Sequence, residues 1–411
     1  MREGPEQRGG SSPPIPPGVI WASIGLLAVG GAAFLAGLRA DATRAWAIYL
    51  VNFLFWGGLA QGGVVFAAIY HVVEARWGPP IRRLGEGMAA FLPVSLLLFF
   101  PLYFGLDDFF GRVQELNPGR GGWFDPRFVF VRGGLGLGSM TVLSLLFVYY
   151  SLRPEVGMAL ERGERGRRWL HGWLAEEWQG EGVEIQRGRR GMDVLAAGVL
   201  LAYPITYTFM AFDLIMALDP VWYSSLFGGY FFVSTFYLGL AGLAVVAVLT
   251  RQCLGLQAIT PGHFADLGKL LLGFNLTYVA MVWSQYIVIW YGNLPEETHF
   301  VVLRVWEEPW APLSWSVLVA TVLIPFLVFL SQRAKQVPWI MLALGVLIAA
   351  GLWLERYVLV VPSLWHQEGL PFGWLEVGVT VGFLGAAALS YVFFLQNFSV
   401  VPSSGLDTPH P

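Results

Sequence analysis

Ionisable side chains inside long apolar stretches are the residues of this chain whose types and spacing could do chemistry. Asp213, Glu355, Arg356 and Glu376 interrupt such stretches, and Asp107 closes another. Ionisable groups are costly within a membrane and usually line a pathway or pair with one another. At about 1.5 Å per residue, Asp213, Glu355 and Glu376 lie roughly 6 to 9 Å from the same end of their stretches. They are candidates for a proton relay in that third of a membrane.

Polar residues at helical spacing accompany the carboxylates. Tyr207 lies on roughly the same helix face as Asp213, and Asn275, Tyr278 and Gln285 share a face of another helix. Hydroxyls and amides can orient a chain of water molecules, although they cannot store a proton. The pattern predicts a proton pathway and no catalytic residue.

The other half of the membrane offers fewer polar groups. Gln61 and His71 are the further candidates there, beside Asn275 and Tyr278. Membrane helices also use amides to hold neighbouring helices together, which is the alternative interpretation of Gln61. A complete pathway would therefore need water or neighbouring subunits in this half.

The adjacent charges Glu355 and Arg356 each call for a counter-charge. Neighbouring helix residues point about 100° apart, so we expect each to find its partner on another helix. Asp213 lies at a similar depth and is the predicted partner of Arg356. The alternative is a salt bridge that locks two helices together without chemistry.

The composition places these residues in an integral membrane protein. Of the 411 residues, 56% are hydrophobic and only 13% are charged, which is too little polar surface for a soluble domain of this size. About 20 apolar residues span a bilayer as a helix. Ten runs of that kind occur, at 18–38, 45–73, 87–106, 128–152, 193–218, 224–250, 268–291, 311–331, 338–361 and 372–395. An all-α fold is expected, and the net charge of -3 argues against a nucleic-acid partner.

The distribution of Lys and Arg predicts the orientation. Most of the 25 basic residues lie at the N-terminus and in the loops after the even-numbered helices, so both termini are expected to be cytoplasmic. The predicted segments are a disordered N-terminus at 1–17, helices 1 to 4 at 18–152, a charged loop at 153–192, helices 5 to 10 at 193–395 and a tail at 396–411. Trp169, Trp173 and Trp178 suggest a short interfacial helix within the charged loop, and a solvated hinge between two helical blocks is the alternative interpretation of this loop.

The chain is expected to hold no metal or redox cofactor. It has one cysteine, whereas an iron-sulfur cluster needs about four thiolates. Of the six histidines only His71 falls within a long apolar run, so a haem held by two membrane histidines is not expected.

Two of the predicted outer loops have the character of a partner-docking surface. Asp219, Pro220 and Trp222 form a tight connection, and Glu296 and Glu297 follow another helix. A belt of aromatic residues at the membrane boundary would explain the Trp residue but not the acidic residues and the proline.

These signatures resemble a known family. The segments Asp213–Ser224, Ser284–Glu297 and Asn52–Gly58 are similar to those of the polysulfide-reductase membrane-subunit (NrfD-like) family. Within that family the chain looks closest to the second of the two related ten-helix membrane subunits of bacterial alternative complex III, a quinol:electron-acceptor oxidoreductase.

The resemblance implies an architecture, a location and a set of partners. These are two four-helix bundles with flanking helices in the bacterial cytoplasmic membrane, and membrane lipids around them. The partners would be a homologous quinol-binding membrane subunit, a periplasmic iron-sulfur subunit and c-type cytochromes. Menaquinol or ubiquinol would be the substrate of the complex, and proton conduction would be the role of this chain. One departure concerns Gln61, which stands where the quinol-oxidising sister subunit has a histidine. Glutamine cannot accept a quinol proton near neutral pH.

Other functions compete with this one. The chain could anchor a molybdopterin and iron-sulfur oxidoreductase to the membrane, or serve its partners only as a structural anchor. A secondary transporter would place its substrate near the midplane at broken helices, for which Pro204 and Pro325 are candidates. The ionisable residues lie away from the midplane, which counts against the transporter.

Overall fold

A computed structural model of the protein describes residues 15–116, 122–123, 125–162 and 168–401. Ten helices within them are long and apolar enough to cross a membrane, which confirms the predicted all-α membrane fold. Their bounds are α1 Pro17–Ala40, α2 Ala42–Val72, α3 Pro79–Gly111, α4 Pro126–Glu161, α5 Glu181–Leu218, α6 Phe227–Cys253, α7 Pro261–Gly292, α8 Ala311–Phe329, α9 Pro338–Leu364 and α10 Trp374–Asn397.

Local sequence signals set where these helices begin. Proline occupies one of the first two positions of α1, α3, α4, α7, α8 and α9, where its missing N–H costs no helical hydrogen bond. Asp41 and Asp125 begin α2 and α4 by accepting backbone N–H groups with their carboxylates. Proline and aspartate residues therefore define where these helices begin, in a sequence that is otherwise mostly apolar.

The ten helices pack as two groups of four with a flanking pair. Helices α2 to α5 form the first bundle and α6 to α9 the second, while α1 packs along α10 beside α2. The bundles meet where α2 contacts α6 and α9 and where α5 contacts α6. A Cβ on Gly62 of α2 would lie 2.7 Å from the Cα of Gly239 on α6, so only glycine allows this close approach.

Several helices extend beyond the apolar runs that predicted them. Helix α3 begins at Pro79, α4 continues to Glu161 and α5 starts at Glu181. The charged loop is correspondingly shorter and contains the short helix Arg168–Leu174. The predicted disorder at 1–17 and the predicted tail at 396–411 fall largely on residues 1–14 and 402–411, which lie outside the described residues.

The two ends of the helices define two faces of the molecule. The arginine-rich face carries the connections from α2 to α3, α4 to α5, α6 to α7 and α8 to α9. The opposite face carries the surface helix Pro295–Val305, which connects α7 to α8. Asp213 and Glu355 both lie in the last turns of their helices before the opposite face.

Candidate functional site

A buried cluster around Glu355 of α9 is the candidate functional site. We call Glu355, Arg356, Tyr230, Tyr278 and Ser234 the α9 cluster. The hydroxyls of Tyr230 and Tyr278 both donate to Oε1 of Glu355, the latter over 2.9 Å. Glu355 is 4% exposed, so its charge is held by protein groups rather than by bulk water.

The partner of Glu355 is its neighbour in sequence. Arg356 Nη1 donates to Glu355 Oε2, and Arg356 Nη2 donates to Ser234 Oγ over 2.8 Å. The guanidinium also lies over the ring of Phe231, 4.4 Å from its centroid. The prediction that adjacent residues cannot satisfy each other was wrong, because the long Arg356 side chain turns back alongside Glu355 and both reach toward α6.

Asp213 pairs with Arg132 of α4. Arg132 Nε donates to Asp213 Oδ2 over 2.9 Å, and Arg132 Nη2 donates to Oδ1. The guanidinium lies 4.1 Å from the ring centroid of Trp123. The predicted Asp213–Arg356 pair was therefore wrong: Arg132, on the neighbouring helix of the same bundle, supplies the counter-charge that the prediction sought in the second bundle.

The α9 cluster continues by one turn toward the arginine-rich face. Asn275 Nδ2 donates to the Tyr237 hydroxyl over 3.0 Å and to the carbonyl of Thr321 over 2.7 Å. Thr321 lies in a π-helical turn of α8, Val319–Leu323, where the regular helical hydrogen bonds are displaced. This turn exposes a backbone acceptor inside the second bundle, and the Asn275 and Tyr237 side chains use it.

The first bundle contains a separate line of polar contacts. Gln61 Nε2 donates to Ser144 Oγ over 3.0 Å, with both residues fully buried. The Tyr207 hydroxyl donates to the Gly57 carbonyl over 3.3 Å, at a level between Gln61 and Asp213. Gln61 thus joins α2 to α4, as an amide that holds two helices together would do.

A buried ionic cluster ends this line at the arginine-rich face. We call Arg82, Arg83, Glu86, Ser151 and Glu155 the basal cluster. Arg83 Nη1 donates to Glu86 over 2.7 Å, Arg83 Nη2 donates to Glu155, and Ser151 donates to Glu86 over 2.8 Å. Both arginines and Glu86 are at most 1% exposed. Buried charges of this kind persist only when they are paired.

The remaining predicted pathway residues lie apart from these clusters. His71 pairs with Asp193 over 2.8 Å at the arginine-rich face. Glu376 accepts both Arg44 Nε and Arg44 Nη2 at 2.6 and 2.7 Å. Asp107 is exposed at the opposite face, and Gln285 is half-buried two helical turns beyond Tyr278. The structure therefore brings Asn275, Tyr278, Glu355 and Arg356 together and leaves the others separate.

Sequence reasoning missed two groups of residues. The apolar run at 87–106 predicts a loop at Arg82, Arg83 and Glu86, whereas α3 begins at Pro79 and buries all three residues. Tyr230, Ser234 and Tyr237 recur at spacings of four and three residues on one face of α6. That spacing was a usable signal, since a polar stripe on an otherwise apolar membrane helix marks a buried contact.

The predicted docking loops form a packed platform at the opposite face. Trp222 is buried, and its ring stacks on Phe300 of the surface helix at 3.7 Å between centroids. Asp219 accepts the backbone N–H of Trp222 over 2.9 Å and lies 3.0 Å from Nε2 of His299. Trp222 therefore supports the platform from beneath and is not part of its surface.

Arg304 fastens the surface helix to the end of α9. Its Nε donates to the Val358 carbonyl over 3.0 Å, and its Nη2 donates to the Leu359 carbonyl over 3.2 Å. Pro362 lacks the N–H that would otherwise bind Val358 within α9, so that carbonyl is free for Arg304. Burial lowers the pKa of Arg304 to about 9, and the Asp219 carboxylate opposes this shift.

We expect Arg304→Ala to detach the surface helix and lower stability. The variant leaves two buried carbonyls without their donor, at a cost of about 1 to 3 kcal/mol for each unsatisfied group. Thermal unfolding of the detergent-solubilised protein measures the loss. Arg39→Ala, which removes an exposed guanidinium, is the control and should leave the unfolding temperature unchanged. An Arg304→Ala protein as stable as the control would contradict the role of Arg304.

No family model and no curated protein matches this chain. Its chemistry must therefore be inferred from the clusters themselves. Within the described ranges, no group of three or more His, Cys, Asp or Glu residues is placed to hold a metal ion. The clusters pair buried charges, and each contains a carboxylate that accepts hydrogen bonds from hydroxyl and guanidinium groups.

Proposed function

We propose that the chain is a proton-conducting membrane subunit of a quinol:electron-acceptor oxidoreductase of the alternative complex III type, in the position of its second ten-helix subunit. A sister subunit would oxidise the quinol, releasing two protons and passing two electrons to iron-sulfur and c-type cytochrome subunits. Menaquinol or ubiquinol would be the substrate. The arginine-rich face would lie in the bacterial cytoplasm, with the opposite face outside.

The observation that carries this proposal is the set of donors around Glu355. A carboxylate held by two tyrosine hydroxyls and one guanidinium in an apolar bundle can take up and release a proton without a large rearrangement. Arg356 lowers the cost of keeping the charge buried, while the hydroxyls offer a route for the proton. If Glu355 served only to hold α9 against α6, its ion pair with Arg356 would suffice without the two tyrosine hydroxyls.

Water would complete the route. Among the described residues, Asn275 Oδ1 and Arg356 Nε are buried without a hydrogen-bond partner. Buried polar atoms of native proteins are generally satisfied, commonly by internal water. We place such water between the Tyr237 and Asn275 pair and the α9 cluster, where it would extend the route toward the arginine-rich face.

The sequence shows few proton acceptors in the half of the membrane next to the arginine-rich face. The carboxylates of the basal cluster would supply them. Glu86 and Glu155 share Arg83 and are linked by Ser151 to the polar line of α4. Ser144 lies on the same helix, about 10 Å farther along, and binds Gln61. The first bundle thus carries polar groups from Glu86 to Asp213, and the second carries them around Glu355.

Gln61→Ala tests whether this chain oxidises quinol itself. Because Gln61 is bonded to Ser144 and lacks a titratable proton, we expect the variant to leave the quinol oxidation rate of the complex within a factor of about two. Steady-state oxidation of a soluble quinol analogue measures the rate. A fall near the 100-fold typical of losing an acid-base group would instead locate a working quinol site in this chain.

Co-purification tests the complex directly. The chain, tagged in its native membrane and extracted in mild detergent, should carry c-type haem absorption and iron-sulfur resonances in a fixed ratio, and the mixture should oxidise quinol. A chain that purifies alone from intact membranes would exclude the proposal. A molybdenum signal in place of haem would favour the anchor of a molybdopterin oxidoreductase.

A secondary transporter is the second candidate, favoured by the π-helical turn of α8. Broken or irregular membrane helices often expose backbone carbonyls to a transported ion or substrate. Here the Thr321 carbonyl already accepts hydrogen bonds from Asn275 and Tyr237, which leaves it poorly placed for an ion. Substrate uptake by vesicles containing the chain alone would distinguish this function from the first.

A further inference from the structure

The surface helix and the turn after it carry carboxylates without counter-charges. Glu296, Glu307 and Glu308 are exposed and Glu297 is half-buried. Within the part of the chain that the structure describes, none of the four forms an ion pair. Arg304, the single Arg or Lys of segment 293–310, is buried against α9. We call these four carboxylates, with the exposed residues between them, the acidic surface.

Large apolar side chains stand exposed within and beside the acidic surface. Trp306 is 64% exposed and directly precedes Glu307. Val302 of the surface helix and Tyr223 of the adjoining loop are also exposed. Exposed aromatic side chains are enriched at protein interfaces, where they supply the buried centre of a contact within a polar rim.

The platform beneath these residues is rigid. The Trp222–Phe300 stack holds the surface helix against the loop between α5 and α6. Three hydrogen bonds from Arg304, to Val358, Leu359 and Ser363, hold it against the end of α9. Side chains displayed on a rigid platform lose little additional freedom when a partner binds, which lowers the cost of association. A loop that only connected α7 to α8 would not need this support.

Membrane insertion does not account for the acidic surface. Orientation is set by Lys and Arg, and Asp and Glu contribute little to it. A lipid headgroup layer is a poor occupant as well, because anionic lipids would be repelled by the four unpaired carboxylates. The negative charge of the four carboxylates instead favours a positively charged protein surface as the occupant.

We propose that the acidic surface is the docking site of a protein domain outside the membrane whose contacting face is rich in Lys and Arg. Trp306 and Val302 fill the centre of the contact, and the four carboxylates pair with basic side chains around it. The proposal rests on the proposed function only for the side of the membrane on which the partner lies.

Site-specific photo-crosslinking in the native membrane tests the proposal. A photoreactive residue is introduced by Val302→p-benzoylphenylalanine, and the adduct is identified by mass spectrometry. We expect one protein to be captured through a segment rich in Lys and Arg. The yield should fall about tenfold when Glu296, Glu297, Glu307 and Glu308 are changed to Gln, and at high salt.

Matched controls separate docking from general charge effects. Glu176→Gln with Glu177→Gln removes two exposed carboxylates from the arginine-rich face and should leave the yield unchanged. Adducts with lipid alone, or a yield that ignores both salt and the four substitutions, would overturn the proposal. A captured basic protein that holds neither haem nor an iron-sulfur cluster would uphold the docking site and contradict the quinol oxidoreductase.

Discussion

Arg356→Ala is expected to destabilise the protein by about 3 to 5 kcal/mol, the typical cost of leaving a buried charge without its partner. The variant removes the counter-charge of Glu355 and the donor to Ser234, and leaves the ring of Phe231 facing an empty space. Two tyrosine hydroxyls cannot compensate for the lost cation. We expect a low yield of folded protein and early thermal unfolding in detergent.

A double variant shows whether the charge or the packing is responsible. Glu355→Gln combined with Arg356→Ala removes the stranded carboxylate as well, so it should recover much of the stability that Arg356→Ala loses. Arg39→Ala again serves as the exposed control. If Arg356→Ala unfolds at the temperature of the unmodified protein, the ion pair contributes nothing to the fold and the α9 cluster must be reinterpreted.

The helices were predictable because the bilayer imposes their length and apolar character. Each of the ten apolar runs corresponds to one observed helix, and the differences lie at the ends. The hydropathy pattern predicts loops at the charged ends of α3, α4 and α5, because hydropathy falls there. The helices continue through these ends because their charges are paired: Arg83 bonds Glu86 three residues farther along α3 and Glu155 of α4, and Arg153 of α4 bonds Glu184 of α5. The spacing of Arg83 and Glu86 is visible in the sequence, whereas the two pairs between helices are not.

The residue types of the candidate site were predictable, but their partners were not. Glu355, Arg356, Tyr278 and Asn275 stand out as polar residues in apolar helices, and they do lie together. Which arginine meets Asp213 depends on how α4 packs beside α5. A similar depth in the membrane makes Arg356 the predicted partner of Asp213. The observed partner, Arg132, stands among aromatic residues near a predicted helix start and gives no such signal in the sequence.

Replacing both members of the Glu355–Arg356 pair by Gln should uncouple proton movement from electron transfer. The single variant Glu355→Gln would strand Arg356, so the neutral pair Glu355→Gln with Arg356→Gln is the better test. It removes the titratable carboxylate without leaving a net buried charge. The complex should still assemble and oxidise quinol, because quinol oxidation belongs to the sister subunit in our proposal.

The readout is the number of protons released per electron in sealed vesicles. If the α9 cluster is the pathway, this ratio should fall to about one, the stoichiometry of quinol oxidation itself. Arg153→Gln with Glu184→Gln is the matched control, since it neutralises a pair bonded at 2.7 and 3.1 Å that lies away from the α9 cluster. That control should keep the original ratio. A fully assembled Glu355→Gln, Arg356→Gln complex with an unchanged ratio would mean that the pair is a structural lock between α9 and α6, and that any protons cross elsewhere.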